Sequence, residues 1–333
     1  MAYTAAHSLW DSVGNTPLLK IKSLSSLSGC EIFGKAEFMN PGGSIKDRAA
    51  KGIIQNAEQN GLLKKGDSIV EGTAGNTGIG LAMLGRERGY KVIVYMPNNQ
   101  ADEKYRFLQA LGADVIAVPP CPFANENHFY HQARKYSESH PNTFWANQFE
   151  NLANSQIHFE TTGPEIWEQM EGRIDVLALA VGTGGTLGGT SDFLKQKNPN
   201  LEVVLIDPMG SGLYQHFHKG TIGAEGSSVT EGIGIMRLTE NFKRAKIDSA
   251  IRIDDQKMIS MLMHLAKEDS LFVGTSGALN AMGSLEIALK YRNSGKRIVT
   301  FLCDHGSRYQ SKILNSAWLA EKVLHAKDLS SFI

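Results

Sequence analysis

Short apolar segments alternate with helix-like segments through most of this chain, and the alternation restricts its fold more than any other feature. Strand-like segments at 68–71, 91–96 and 114–118 each precede a helix-like one. Strands separated in this way form right-handed βαβ units with parallel strands. The segment 175–181 is almost wholly apolar, as expected for a parallel strand covered on both faces. The sequence therefore predicts an α/β fold with mostly parallel, twisted sheets flanked by helices.

The chain of 333 residues is long enough for two domains. One group of alternating strands and helices ends near residue 150, and a second group begins after it. We predict a larger domain made of residues 1–38 and 152–333, into which the first segment of the chain crosses back. Residues 39–151 are predicted to form a smaller, mobile domain.

Charge and cysteine content exclude several classes of protein. Basic and acidic residues each total 34, so the net charge of zero favours neither nucleic acid nor an anionic membrane as a partner. No apolar run approaches bilayer length, and the first residues lack the pattern of a signal peptide. Three widely spaced cysteines indicate a reducing compartment, and the histidine pairs lack the company that a metal site needs. We expect a soluble, cytoplasmic protein without a metal.

A glycine-containing motif precedes a predicted amphipathic helix. Residues 40–48 read Asn-Pro-Gly-Gly-Ser-Ile-Lys-Asp-Arg, with Ser44 as the predicted N-cap and Asp47 as the acid of a short capping box. Lys46 then lies in the first turn, where the positive end of the helix dipole disfavours an ammonium group. Such a lysine favours its neutral, nucleophilic form. For a lone lysine, a solvated surface position would be the preferred interpretation.

Two glycine loops, each between a predicted strand and a predicted helix, change that preference. The loop at 181–189 reads Val-Gly-Thr-Gly-Gly-Thr-Leu-Gly-Gly, and Leu187 stands where the dinucleotide fingerprint requires its third glycine. Its N–H groups and helix N-terminus suit a phosphate monoester, with a tight packing turn as an equal alternative. The loop at 71–78 reads Glu-Gly-Thr-Ala-Gly-Asn-Thr-Gly, whose donors suit a carboxylate. A lysine, a phosphate site and a carboxylate site together suggest pyridoxal phosphate.

These three motifs, in this order and spacing, resemble those of the fold type II pyridoxal-phosphate enzymes. Within that family the chain is most similar to the O-acetylserine sulfhydrylases (cysteine synthase A). The similarity runs nearly from end to end and includes the segments 14–18, 147–151, 160–167, 231–234 and 306–309. It implies the tryptophan synthase β-like fold, with the phosphate site in the larger domain and Lys46 and the carboxylate loop in the smaller one.

The resemblance also implies a role for each matching residue. Lys46 would bind the cofactor as a Schiff base and take the α-proton of the substrate. Asn76 would contact the cofactor oxygen O3′, and Gly232 would lie beside the reacting carbon. The cofactor phosphate would be held by Gly182, Thr183, Gly184, Gly185 and Thr186. The substrate carboxylate would be bound by Thr73, Gly75, Thr77 and Gln148.

Two parts of the predicted site depart from the family pattern. Ala74 replaces a serine of the carboxylate loop. From Cys303 the chain reads Cys-Asp-His-Gly in place of Pro-Ser-x-Gly, so Asp304 takes the position assigned to the contact with the ring nitrogen. An aspartate there would favour a protonated ring, and His305, Ser307 or a water are the alternatives. Cys303 itself is predicted to be a small buried residue and not a nucleophile.

The resemblance implies β-replacement on O-acetyl-L-serine through an aminoacrylate, with sulfide giving L-cysteine and acetate. Alternatives on the same scaffold are condensation of the cystathionine β-synthase type and serine dehydration, although the lysine motif of dehydratases continues Arg-Gly-Ala. A non-enzymatic alternative is a silent regulatory partner of an acetyltransferase, against which the intact Lys46 argues.

The family further implies a homodimer and a serine acetyltransferase partner, whose C-terminal isoleucine enters the active site. The present chain also ends in an isoleucine, Ile333. A self-inhibiting tail is therefore conceivable, with an ordinary frayed terminus as the alternative.

Overall fold

A computed structural model describes residues 6–73 and 75–333, and the described strands form two sheets. The strands are β1 (Leu18–Lys20), β2 (Glu31–Ala36), β3 (Ser68–Gly72), β4 (Lys91–Pro97), β5 (Asp114–Val118), β6 (Thr143–Trp145), β7 (Val176–Ala180), β8 (Glu202–Pro208), β9 (Ser249–Ile253) and β10 (Arg297–Leu302). The helices are α1 (Lys22–Ser28), α2 (Lys46–Gln59), α3 (Asn76–Glu87), α4 (Asp102–Ala110), α5 (Phe129–Ser139), α6 (Ala153–Ile157), α7 (Gly163–Gln169), α8 (Gly185–Lys197), α9 (Leu213–Lys219), α10 (Glu240–Lys243), α11 (Asp255–Glu268), α12 (Thr275–Lys290) and α13 (Ser316–Glu321).

The larger sheet has the strand order β1-β2-β10-β7-β8-β9, and the smaller sheet has the order β5-β4-β3-β6. Only β1 runs antiparallel to its neighbour in the described sheets, and all other pairs are parallel. This confirms the predicted two-domain α/β fold. Strands β6 and β9 were not predicted, because each is short and only partly buried and so shows no apolar run.

Helices cover both faces of the larger sheet, as the apolar sequence of β7 predicted. Val176 and Ala178 pack in one cluster with residues of α11 and α12, whereas Leu177 and Leu179 pack on the other face with residues of α7 and α8. Successive strand residues point to opposite faces, so a strand buried on both sides must be apolar throughout. In the described ranges, no helix is long and apolar enough to span a bilayer.

Two predicted elements differ in detail. The apolar stripe over residues 155–171 predicts a single helix, but α6 and α7 are joined by a π-helical turn at His158–Thr162. Pro164 has no N–H group, so the α-helical hydrogen-bond pattern cannot continue through it. The glycine-rich segment 208–234 predicts an irregular loop, but it contains the helix α9.

The capping of the Lys46 helix is close to the prediction. Helix α2 begins at Lys46 with Ile45 as its N-cap, one residue later than predicted. The hydroxyl of Ser44, the residue before that cap, accepts a hydrogen bond from the Lys46 N–H at 3.3 Å, as expected of an N-cap serine. The carboxylate of Asp47 accepts a hydrogen bond from the N–H of Gly42 at 2.6 Å, so the acid stabilises the preceding glycine turn.

The end of the chain is ordered by packing. Leu329–Phe332 form a 3-10 turn, and Leu329 is only 3% exposed. This turn packs against α11 in the core of the larger sheet and does not line the cavity described below. The terminus is therefore not frayed, and in this structure it does not occupy the predicted site.

Candidate active site

A cavity of about 310 Å³ brings distant parts of the chain together. Its wall includes the loops that follow β3 and β7, as expected for a ligand site at the carboxyl ends of parallel strands. The predicted site residues that line the cavity are Lys46, Thr73, Gly75, Asn76, Thr77, Gln148, Gly182, Thr183, Gly184, Thr186 and Gly232. Gly185 and Asp304 are not part of this lining.

Lys46 is the first residue of α2, in the predicted first turn. Burial lowers the pKa of Lys46, while Cys303 and Asp304 act in the opposite direction. Desolvation is thus the main cause of the shift, and it disfavours the charged ammonium form. Within the described residues, the Lys46 amine makes no hydrogen bond. Its nitrogen is therefore free to react at the cavity wall.

Arg48, two residues after Lys46, is the centre of a buried ionic cluster. Its guanidinium contacts both carboxylate oxygens of Glu37, at 2.8 and 2.9 Å, and both oxygens of Glu165, at 2.7 Å. Lys35 reaches Glu165 at 2.7 Å as well. The cluster ties the start of α2 to β2 and α7, so it fixes the helix that carries Lys46.

The glycine loop after β7 lies close to other backbone segments. Gly184 has φ +89°, and a Cβ there would lie 2.5 Å from the backbone nitrogen of Phe242. A Cβ at Gly185 would lie 2.1 Å from the side-chain oxygen of Asn154. Helix α8 begins at Gly185, so its free N–H groups and the Thr183 and Thr186 hydroxyls border the cavity. These groups fit the phosphate of pyridoxal phosphate.

The loop after β3 forms the second predicted subsite. Gly75 has φ +130° and directly precedes α3, whose first two residues are Asn76 and Thr77. The Thr77 hydroxyl donates to the side-chain oxygen of Gln148 at 2.5 Å. Backbone N–H groups, hydroxyls and an amide at a helix N-terminus fit a carboxylate. Ala74 lies outside the described residues.

Asn154 in α6, a residue that sequence reasoning missed, connects the loop after β7 to the segment that carries Gln148. Its side-chain amide donates to the Gln148 carbonyl oxygen at 2.8 Å and to the Thr183 hydroxyl at 2.9 Å. Asn154 is only 1% exposed. Side-chain hydrogen bonds of a buried amide are not visible in a pattern of residue types, so no sequence signal marked this residue.

The structure places Asp304 behind the cavity wall. Its carboxylate is fully buried and accepts hydrogen bonds from Asn76 at 2.7 Å and Tyr309 at 2.6 Å. His305 and Ser307 bond to each other at 2.8 Å and do not line the cavity either. Residues in extended backbone alternate sides, so the chain that turns Cys303 toward the cavity turns Asp304 away from it.

Cys303 and Ser276 line the cavity in this region. Burial raises the pKa of the Cys303 thiol to about 12, so the thiol is protonated at neutral pH and is a poor nucleophile. Ser276 lies in the first turn of α12 and was not singled out from the sequence. The available signal was the run Gly-Thr-Ser-Gly at 274–277, which has the same make-up as the other two site loops.

An ion pair crosses the cavity wall between segments that are distant in sequence. Lys104 in α4 contacts Glu231 at 2.5 Å, and Lys312 contacts the other oxygen of Glu231. Lys104 and Glu231 are 2% and 8% exposed. Lys104 follows two acids at the start of a helix, a pattern typical of a solvated surface turn, so its burial could not be predicted.

Arg237 lines the cavity among aromatic side chains. Its guanidinium lies 4.4 Å from the ring centre of Phe123, 5.0 Å from that of Tyr130 and 4.9 Å from that of Phe149. It also pairs with Glu150. Cation–π contacts of this kind hold a guanidinium in place while leaving it close to entering ligands.

The buried carboxyl group of Glu71, at the end of β3, should make the stability of the protein depend on pH. Burial raises the pKa of Glu71 to about 8, although hydrogen bonds from the N–H groups of Gln148 act to lower it. Between pH 5 and 8 the unfolded chain has lost this proton while the folded protein keeps it, so stability falls as pH rises. In Glu71→Gln we expect the free energy of unfolding to fall less steeply with pH over this range, by up to about 1.4 kcal/mol per pH unit.

The measurement is the free energy of unfolding in denaturant titrations at several pH values. Glu138→Gln, at an exposed position on α5, is the control and should leave the slope unchanged. An unchanged slope in Glu71→Gln would mean that Glu71 is ionised in the folded protein.

Comparisons with known proteins agree with this geometry. A family model described as pyridoxal-phosphate dependent enzyme matches residues 9–304. The chain is 46% identical to "Cysteine synthase 1" of Neurospora crassa, over 96% of this chain and 86% of that protein. It is 47% identical to "Cysteine synthase" of Dictyostelium discoideum, over 96% and 87% of the two chains.

A solved structure is also similar. It is described as an O-acetylserine dependent cystathionine beta-synthase from Helicobacter pylori, with a TM-score of 0.85 and 30% identity. The match covers 93% of this chain and 99% of that one. The chain therefore belongs to the family of pyridoxal-phosphate dependent enzymes.

Proposed function

We propose that this protein is a cysteine synthase, which converts O-acetyl-L-serine and sulfide to L-cysteine and acetate with pyridoxal phosphate. The observation that carries the proposal is the position of Lys46. Its amine makes no hydrogen bond among the described residues and lines the same cavity as one loop that fits a phosphate and another that fits a carboxylate. The names of the similar cysteine synthases support the choice of reaction.

The cofactor would be held at three points. Its phosphate would bind the loop of Gly182, Thr183, Gly184, Gly185 and Thr186, where helix α8 begins. Lys46 would attach it covalently, and Asn76 would donate to its O3′ oxygen. Bound there, pyridoxal phosphate supplies a ring that withdraws electrons from the α-carbon of the substrate.

The protein's own groups would carry out the remaining tasks. Thr73, Gly75, Thr77 and Gln148 would bind the substrate carboxylate and so orient the α-carbon. Lys46, as a neutral amine, would take the α-proton, which its lowered pKa favours. The bond between the β-carbon and the acetate oxygen would then break, and the sulfur of HS⁻ would bond to the β-carbon beside the backbone of Gly232. Lys46 would return the proton to the α-carbon, which completes L-cysteine.

Ser276 is our choice for the group that meets the ring nitrogen. Its hydroxyl lines the cavity, whereas the Asp304 carboxylate is turned to Asn76 and Tyr309. A neutral hydroxyl donates to an unprotonated ring nitrogen, so this choice favours an unprotonated ring.

Mixing the cofactor-loaded protein with O-acetyl-L-serine tests the reaction. We expect the absorption spectrum of the bound cofactor to change and sulfide to restore it, with cysteine and acetate formed in equal amounts. Two half-reactions of this kind give parallel-line, ping-pong kinetics. A protein that stays colourless with added pyridoxal phosphate would refute the enzymatic function and favour the silent partner of an acetyltransferase.

Condensation of the cystathionine β-synthase type is the second candidate. Arg237 in the cavity lining favours it, because a guanidinium can bind the carboxylate of an amino-acid thiol. The description of the similar Helicobacter pylori structure also supports it. Homocysteine and sulfide, compared as acceptors after O-acetyl-L-serine, distinguish the two functions. Pyruvate without added thiol would instead indicate dehydration.

The assembly and location of the protein are further parts of this proposal. Residues 39–151 would move as a unit over the bound substrate, with residues 1–38 and 152–333 as the other unit. A homodimer and binding of serine acetyltransferase rest on the family resemblance alone. A cytoplasmic location is supported by the three cysteines, which are unpaired in the described chain. Sedimentation tests the homodimer and its binding of serine acetyltransferase, and cell fractionation tests the location.

A further inference from the structure

Both ends of the Asn76 side-chain amide form hydrogen bonds with residues that do not line the cavity. Its Nδ2 donates to the Asp304 carboxylate at 2.7 Å. Its Oδ1 accepts from the Arg308 guanidinium at 2.5 Å. Asp304 is fully buried and Arg308 is only 8% exposed, while Asn76 itself lines the cavity.

These two partners permit a single orientation of the amide. An ionised carboxylate can only accept hydrogen bonds, and a guanidinium can only donate them. Rotating the Asn76 amide by 180° would set its NH₂ group against Arg308 and its oxygen against Asp304, which breaks both bonds. Because an amide nitrogen has two N–H groups, the second one is left for a ligand in the cavity.

Asp304 and Arg308 are themselves held in place. Tyr309 donates to the same Asp304 oxygen at 2.6 Å, and the backbone of Asp304 pairs with that of Ser44 in an antiparallel bridge. A second nitrogen of Arg308 donates to the Gly42 carbonyl. Both charged residues therefore also touch the loop that leads into Lys46, so one network fixes the lysine loop and the Asn76 amide together.

We propose that Asp304 and Arg308 are positioning residues, which hold the Asn76 amide so that an N–H, and not the oxygen, faces the phenolic oxygen of the cofactor. The inference rests on the proposed contact of Asn76 with that oxygen. It gives Asp304 a function through Asn76 in place of a contact with the ring nitrogen.

Cofactor affinity and spectrum test the proposal without turnover. The dissociation constant of pyridoxal 5′-phosphate is measured by titrating apo-protein, and the absorption maximum of the bound cofactor is recorded with pH. Asn76→Ala and Asp304→Ala should each weaken binding roughly 3- to 10-fold, the effect of one hydrogen bond. The double variant should be no weaker than Asn76→Ala alone, since residues acting through one another are not additive.

Asp304→Asn separates orientation from charge. An amide oxygen at this position can still accept from Asn76 and Tyr309, so affinity and spectrum should stay near those of the unchanged protein. Arg308→Lys can make only one of the two bonds that Arg308 makes, so it should weaken binding in the same way as Asp304→Ala. In the Asn76→Ala background its effect should be smaller, because only the bond of Arg308 to the Gly42 carbonyl is then left to lose.

Asp207→Asn is the matched control. Asp207 is also fully buried and has one oxygen without a partner among the described residues, but it does not line the cavity. Its replacement should leave cofactor affinity and the absorption spectrum unchanged. If Asp304→Ala does not fold, Asp304→Asn and Arg308→Lys carry the test.

Three results would overturn the positioning role. Equal damage by Asp304→Asn and Asp304→Ala would show that the charge acts directly. A full effect of Asp304→Ala in the Asn76→Ala background would show that Asp304 acts independently of Asn76. Unchanged affinity and spectrum in Asn76→Ala would remove the proposed cofactor contact as well, which distinguishes that failure from the other two.

Discussion

Lys46→Ala is expected to lower the rate of cysteine formation by roughly a thousandfold or more. Lys46 is proposed both to attach the cofactor and to move the α-proton, and burial lowers the pKa of its amine at the cavity wall. Alanine supplies neither function. The variant should still bind pyridoxal phosphate non-covalently, since the loop at 182–186 is untouched.

Borohydride reduction followed by peptide mass spectrometry measures the attachment. The unchanged protein should carry the reduced cofactor on the peptide that contains Lys46, and Lys46→Ala should carry none. Lys51→Ala is the control, because Lys51 lies in the same helix but bonds to the Trp10 carbonyl at 3.0 Å. Cofactor fixed to another lysine in Lys46→Ala would contradict the assignment.

Arg48→Ala is expected to destabilise the protein by about 3–5 kcal/mol. The change leaves Glu37 as a fully buried carboxylate without its cation. Burial acts to raise the pKa of Glu37, but Arg48 overcomes it and holds that pKa at about 2. In the unchanged protein this contribution is therefore complete above about pH 4.5 and is lost as pH falls toward 2.

Denaturant unfolding at pH 7 and at pH 3 measures this contribution. The difference between the unchanged protein and Arg48→Ala should be large at pH 7 and smaller at pH 3. Arg134→Ala is the matched control, because its pair with Glu138 is more than half exposed on both sides and should contribute less than about 1 kcal/mol. A small effect of Arg48→Ala at pH 7 would mean that water reaches Glu37.

The fold could be predicted wherever one strand or helix carries its own pattern. The apolar run of β7 and the alternation from β3 to β5 gave the parallel sheets, because a strand covered on two faces must be apolar throughout. The short strand β6 has no such run, since its three residues are all partly exposed. The π-helical turn before α7 was hidden because the residues on either side of it have a continuous helical pattern.

The candidate site was also predictable only in the parts that carry a local sequence pattern. Glycine loops and the lysine motif were visible because their backbone needs particular residues at particular positions. Lys104 and Asn154 were not visible, because the burial of one and the hydrogen bonds of the other depend on the packing of distant segments. The Asp304 carboxylate bonds to Asn76 and Tyr309 and does not line the cavity, and this direction depends on the extended backbone after β10, which no residue pattern reveals.

The position of β10 between β2 and β7 also determines the order in which the two sheets can be completed on the ribosome. All four strands of the smaller sheet lie within residues 68–145, so that sheet can close while the rest is still being translated. Strand β2 must wait for residues 297–302, which are made long after it, before its inner edge is covered. Until β10 is made, the nascent chain thus exposes an unpaired strand edge, the kind of edge that chaperones protect from aggregation.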